Sequence, residues 1–193
     1  MVNKIILGSG SSRRKELLSS IWSGVIEIVP SVIEELYPKD LALEKIPIYL
    51  ANLKAADLKS KLDLDNNILL TADTIVICED KVLGKPKDLL EARATLEFLS
   101  RKVHRVITGV ALYYKGVSIE IEEKTDVHFG TLAAADIAHY LENYCPLDKA
   151  GSYGIQEFIG MVGVEKINGC YYNVMGLPTS RVWKELDTIL EKN

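Results

Sequence analysis

Cysteine is scarce and scattered: Cys78, Cys145 and Cys170 are the only three in 193 residues. They are odd in number, far apart and never spaced as CxxC, which points to a reducing cytosol and a cytoplasmic location. The three histidines, His104, His128 and His139, show no ligand spacing such as HExxH. No apolar run approaches the roughly 18 residues of a membrane span. The run Ile5-Ile6-Leu7 stops at Gly8, so the N-terminus does not read as a signal peptide. An excess of positive charge is also missing. With a net charge of −4, the surface is not that of a general nucleic-acid or membrane binder, and any anion site must be a local cluster of bases. No internal repeat, low-complexity tract or linker interrupts the chain. What remains is 48% hydrophobic and 26% charged, the composition of a soluble globule. The length suits one domain over residues 1–193, or two small lobes sharing a core.

The chain is organised around Ile68–Pro86, ILLTADTIVICEDKVLGKP. It opens as an apolar run suited to a strand buried on both faces, with β-branched Ile75, Val76 and Ile77 at its end. Asp73 sits inside that run, flanked by Thr71 and Thr74. A carboxylate there loses its hydration and needs a paired base, a metal or the mouth of a cleft. Further on, Gly84-Lys85-Pro86 carries an ammonium on a stiff turn. An acid inside a strand and a base on the following turn is what a metal-bound phosphate needs.

Upstream, Val2–Leu7 predicts a first strand, and Gly8-Ser9-Gly10-Ser11-Ser12-Arg13-Arg14 predicts a loop that ends in a Ser-capped helix. Arg13 and Arg14 oppose the helix dipole unless an anion is held there; a solvated basic turn is the competing reading. GxxxxGK[ST] is absent, so this is no Walker loop. Val25–Val29 predicts a strand. The Glu34-Glu35 pair after it reads as metal ligands or as a polar loop, and the residues alone favour the loop. Pro47 starts a helix whose apolar stripe is Ile48, Ala51, Ala55, Leu58 and Leu62. Lys54 flanks that stripe, where the residues alone favour a snorkelling surface lysine.

Downstream, Asp88 and Glu91 cap a helix with Leu89, Ala92, Leu96 and Leu99 inward. Lys115-Gly116 is a hairpin turn between His104–Tyr114 and Val117–Phe129; the alternation in the second arm leaves His128 facing solvent. His104 is expected to make a structural hydrogen bond. A helix is expected over 133–143, a glycine-punctuated functional loop over 146–156, a last strand over Phe158–Ile167, and a helix after Pro178 with Val182, Leu186 and Ile189 inward.

The order of these segments is more specific than any one of them. GSGSSRR then ELL, PSVIEE, LANLKA, ADT, GKP, HRVITG, LDKAGSYGIQ and GCYYNVMGLP together resemble the Maf family of nucleoside triphosphate pyrophosphatases, from about Ile5 to Leu190. The resemblance implies an α/β fold like that of the inosine triphosphate pyrophosphatases, with a long bent mixed sheet flanked by helices and two lobes around a nucleotide cleft. It implies hydrolysis of a nucleoside triphosphate to the monophosphate and pyrophosphate with a divalent cation, Mg²⁺ or Mn²⁺. The catalytic aspartate falls on Asp73, and Glu35 with Asp73 forms the metal side. Substrate contacts fall on Ser9, Ser11, Arg13, Arg14, Lys54, Lys85 and Lys149.

The members that prefer dTTP and UTP have Arg, Thr and Gln where this chain has Arg13, Thr74 and Gln156, which adds Thr74 and Gln156 to the substrate contacts. The branch acting on 7-methyl-GTP carries a loop tryptophan that is absent here. The chain departs from the family at Ser12, where a proline is usual, and at Arg101 and Glu157, where glycine is usual. The expected partner is a nucleoside triphosphate, with no nucleic acid and no membrane, and assembly is left open between monomer and homodimer. A nucleotide-binding regulator of cell division or septum formation, with weak or no hydrolysis, is the alternative. Intact Asp73, Glu35 and Lys85 favour the enzyme.

Overall fold

The computed structural model describes residues 2–191. Seven strands form one mixed sheet: β1 (Lys4–Leu7), β2 (Val25–Ile28), β3 (Asn67–Cys78), β4 (Lys81–Leu83), β5 (Val103–Tyr114), β6 (Val117–Phe129) and β7 (Val164–Asn168). Their order is β2-β1-β3-β5-β6-β7, with β4 paired to β3. The helices are α1 (Ser12–Ile21), α2 (Ile46–Lys59), α3 (Leu89–Leu99), α4 (Ala134–Asn143), α5 (Phe158–Gly163), α6 (Tyr171–Met175) and α7 (Thr179–Glu191). Contacts divide the chain into two compact units, Met1–Asp73 with Thr108–Glu123 and Gly176–Asn193, and Thr74–Ile107 with Lys124–Met175. The division falls inside β3, β5 and β6.

In the first unit β1 runs parallel to both neighbours, Lys4 lying opposite Val25 of β2 and Asn67 of β3. Parallel neighbours need crossovers, and α1 and α2 supply them. The inward stripe of α2, Ile48, Ala51, Ala55 and Leu58, packs on Ile6, Leu69 and Ala111, with Leu62 at the edge of the cluster. Gly109 lets β5 approach the start of α2: a Cβ there would stand 2.3 Å from the Ile48 amide nitrogen. Lys115 and Gly116 both have positive φ (45° and 85°), the geometry of a tight two-residue hairpin turn. After Pro178, α7 buries Val182, Leu186 and Ile189 as its spacing predicts.

The second unit contains a hairpin that the sequence did not announce. Glu79 and Asp80 turn β3 into β4 with φ of 50° and 58°, conformations usually left to glycine or asparagine. Asp88 caps α3, its Oδ1 accepting from the Glu91 amide at 2.8 Å, while Glu91 Oε2 accepts from the Lys87 amide at 2.9 Å. Ala92, Leu96 and Leu99 are buried, but Leu89, expected on the inner face, is 48% exposed because it opens the helix one turn before the stripe meets the core.

The strand expected over Phe158–Ile167 is corrected. The first six residues form α5 and only Val164–Asn168 is a strand, antiparallel to β6. Ile159, Gly160 and Gly163 turn inward while Met161 and Val162 stay exposed, a helical period that two glycines in an apolar run make possible. The short helix α6 was also not foreseen. It is fastened by Thr125 Oγ1, which donates to the Cys170 carbonyl (3.1 Å) and accepts from the Cys170 amide (3.0 Å) and Asn173 Nδ2 (2.9 Å).

His104 makes the expected structural contact: Nε2 lies 2.7 Å from the Tyr153 hydroxyl, and the ring packs edge-on against Phe129. Burial pulls its pKa from 6.5 to about 4. The folded state therefore resists a proton that the unfolded chain accepts, so this contribution is complete above pH 6.5 and is lost as pH falls from 6.5 toward 4. The loss should reach about 3 kcal/mol. Urea midpoints across this range should fall less steeply in His104→Gln, and parallel curves for the two proteins would show that the imidazole is not the cause.

Candidate active site

Asp73 is the last residue of the first unit, buried in β3 with 7% of its surface exposed. Of the three ways to keep a carboxylate there, the structure shows a paired base. Lys54 Nζ stands 2.6 Å from Asp73 Oδ1 and 2.7 Å from Glu35 Oε1. The snorkelling reading of Lys54 is thereby corrected. Residue 54 follows Ala51 by three and precedes Ala55 by one, so it lies on the buried stripe of α2, with β3 across from it. An ammonium in that position is tolerable only against carboxylates. Thr71 Oγ1 donates to the Ala51 carbonyl at 2.7 Å, tying α2 to β3 two residues before Asp73.

The loop after β1 is held by its own serines. Ser11 caps α1, its Oγ accepting from the Arg14 amide at 3.4 Å. Ser9 Oγ accepts from the Ser11 amide at 3.3 Å and from Arg14 Nη1 at 3.1 Å. Arg14 Nε donates to the Gly176 carbonyl at 2.9 Å, so the guanidinium is fixed from two directions. Arg13 is half-buried beside it.

Burial pulls the Arg14 pKa down, the charge of Asp73 opposing it and that of Arg13 adding to it. Burial pushes the Asp73 carboxyl above its ordinary value, offset by Lys54 and then Arg14. The first unit thus brings together Ser9, Ser11, Arg14, Glu35, Lys54 and Asp73. An acid of raised basicity has a cation fixing one of its oxygens, beside a helix N-terminus with an oriented arginine.

No group of three or more His, Cys, Asp or Glu side chains able to hold a metal occurs among the described residues. Glu35 and Asp73 converge on one point, the Lys54 ammonium, and both offer hard oxygen donors. That donor set suits a Mg²⁺-like ion, which takes one or two carboxylates and fills its shell with water and phosphate oxygens.

The remaining predicted residues belong to the second unit. Thr74 follows Asp73 in β3, partly buried. Lys85 is exposed on the turn after β4, anchored by buried Pro86, and the Gly84 carbonyl accepts from the Gly151 amide at 3.1 Å. That bond ties the Lys85 turn to the loop carrying Lys149.

Lys149 is only 5% exposed. Its ammonium donates to the Cys145 carbonyl and to Asp148 Oδ1 at 2.8 Å, and it forms an ion pair with Glu157 Oε1 at 3.2 Å. Gln156 is half-buried, and its Oε1 is buried without a hydrogen-bond partner among the described residues. The Tyr140 hydroxyl donates to Glu157 Oε2. Tyr140 and Asp148 escaped sequence reasoning. The available signal was a tyrosine on the inward face of α4, between Ile137 and Leu141, where a hydroxyl must find an acceptor.

A model of the Maf-like protein family matches residues 4–189. The chain belongs to this family. Among curated relatives, a dTTP/UTP pyrophosphatase of Porphyromonas gingivalis is 44% identical, with 98% of this chain and 96% of the relative covered. A dTTP/UTP pyrophosphatase of Phocaeicola vulgatus is 47% identical, over 95% of this chain and 94% of the relative. Among solved structures, a HAM1 protein from Coxiella burnetii aligns over 100% of both chains with a TM-score of 0.51 at 14% identity, a likeness of fold.

The Lys54 contacts carry a stability consequence. Lys54→Met leaves Asp73 buried without its cation, which should cost about 3–5 kcal/mol at pH 7. The loss should shrink toward pH 4 as Asp73 takes up a proton. Urea titrations of both proteins at the two pH values check this, and a loss that does not shrink in acid would exclude the pairing as its cause.

Proposed function

We propose that the protein hydrolyses nucleoside triphosphates, with dTTP and UTP preferred, to the nucleoside monophosphate and pyrophosphate. The observation that carries this reading is the buried Asp73 carboxylate, raised in basicity by burial and held at one oxygen by Lys54. A protein that only binds nucleotide needs no such base. The names of the relatives support the same reaction and the same pair of substrates.

In this reading water attacks the α-phosphorus, its proton passes to Asp73, and the bond to the bridging oxygen breaks to release pyrophosphate. Lys54 fixes the rotamer of Asp73 through the reaction. Arg13 and Arg14 at the start of α1 offset the charge of the phosphates, a role also assigned to Lys85. Ser9 keeps the Arg14 guanidinium oriented, and Ser11 keeps the helix start in place. Glu35 and Asp73 would hold a divalent cation, which when bound polarises phosphoryl oxygens. Thr74 and Gln156 are assigned to the base. A glutamine amide offers a donor and an acceptor to the N3–H/O4 edge shared by uracil and thymine, whereas cytosine presents a bare N3 and an amino group.

Asp73→Asn is nearly isosteric but cannot take the proton, so turnover should fall by about 10²–10⁴-fold with nucleotide binding retained. Near-normal turnover, measured as pyrophosphate release, would remove Asp73 from the mechanism.

A panel of dTTP, UTP, CTP, ATP and GTP with Mg²⁺ or Mn²⁺ should give the highest kcat/KM for dTTP and UTP. A purine triphosphate above both would reject the base preference while leaving the hydrolysis in place.

A further inference from the structure

The second unit contains a closed hydrogen-bonded ring that the proposed reaction does not use. The Tyr140 hydroxyl, from α4, donates to Glu157 Oε2 and accepts from the Gly154 amide at 3.1 Å. The Glu157 amide donates to the Gly154 carbonyl at 3.0 Å, closing a turn over residues 154–157. Lys149 holds the other carboxylate oxygen, Oε1, at 3.2 Å, and is itself anchored by Asp148 and the Cys145 carbonyl.

The Glu157 side chain folds back over its own turn so closely that a Cβ at position 154 would lie 2.6 Å from its carboxyl carbon. A side chain at position 154 would displace the Glu157 carboxylate from this place. Ile155, 5% exposed, pins the middle of the turn to the core. Burial, reinforced by the Glu157 carboxylate, pushes the Tyr140 phenol far above its usual value, so it remains a donor.

Both ends of the turn are fixed by one phenol and one carboxylate, and Gln156 is the residue held between them. Its Oε1 is buried and has no hydrogen-bond donor among the described residues. A buried carbonyl oxygen without a donor is costly, and a ligand N–H would satisfy it. The N3–H of uracil or thymine is such a donor, and cytosine has no hydrogen there.

We infer that Glu157 and Tyr140, with Lys149 as the cation between Glu157 and the preceding loop, are positioning residues for base choice, setting the orientation of Gln156 without touching the base. This rests on the reading of Gln156 as the base contact. In this arrangement Lys149 serves the turn and not the phosphates.

The test is equilibrium binding, by calorimetry, of the non-hydrolysable α,β-methylene analogues of UTP and CTP. They are compared in the intact protein, Glu157→Ala, Glu157→Gln and Tyr140→Phe, with pyrophosphate release from UTP followed on the same preparations. Tyr140→Phe removes one hydroxyl and nothing else, so it keeps the test available should Glu157→Ala not fold.

The preference for the uridine analogue should fall by about tenfold in Glu157→Ala and Tyr140→Phe, through weaker uridine binding. Glu157→Gln should keep more of it, because an amide carbonyl still accepts from Tyr140. Equal weakening of both analogues, the outcome of a merely structural role, overturns the inference, and so does an unchanged preference. Equal binding of the two analogues by the intact protein overturns it together with the base role of Gln156, while release of pyrophosphate from UTP would still support the pyrophosphatase. A preference that falls in the variants of a protein releasing no pyrophosphate supports the inference and rejects the hydrolysis.

Discussion

One ammonium ion between two carboxylates governs the first unit. Lys54 lies on a helical stripe that is otherwise alanine, leucine and isoleucine, and its charge is acceptable there only because Asp73 and Glu35 are within 2.7 Å. The dependence is mutual, since burial raises the Asp73 carboxyl above its ordinary value and the Lys54 ammonium is the strongest influence opposing that rise. The pair is inefficient as a source of stability, because desolvating two charges consumes most of what their attraction supplies. Its worth is geometric and electronic. It fixes a rotamer, and it opposes the rise that burial imposes on the Asp73 carboxyl.

Much of this was visible in the residues. An aspartate inside ILLTADTIVIC demands a counter-charge wherever the chain places it, and the demand was met. The partner was misjudged, because a lysine at the flank of a helical stripe looks the same in sequence whether it reaches water or a buried acid. Only the strand packed across α2 distinguishes the two. The Ser11 and Asp88 caps and the Lys115-Gly116 turn were legible because each is settled within four residues of chain.

What failed was not local. Glu79 has no intrinsic liking for positive φ and adopts it, with Asp80, because β4 must return along β3. Phe158–Ile167 is rich in strand formers, yet its first half coils because Gly160 has to pass against the Ile155 backbone. The partners of Lys149 come from three separate places, the end of the segment after α4, its own neighbour and the start of α5, and no spacing rule joins them.

The oxygen of Thr125 binds both the carbonyl and the amide of Cys170 and also the Asn173 amide group. That hydroxyl and the bond from Asn173 Nδ2 to the Val106 carbonyl at 3.1 Å together fasten the segment from the end of β7 through α6. A segment whose ties converge on two neighbouring strands opens as a unit and does not loosen residue by residue. In hydrogen-exchange terms, the amides of Cys170 and of the α6 turn that follows should open as one cooperative unit, and opening it breaks contacts to a side chain forty-five positions earlier in the sequence.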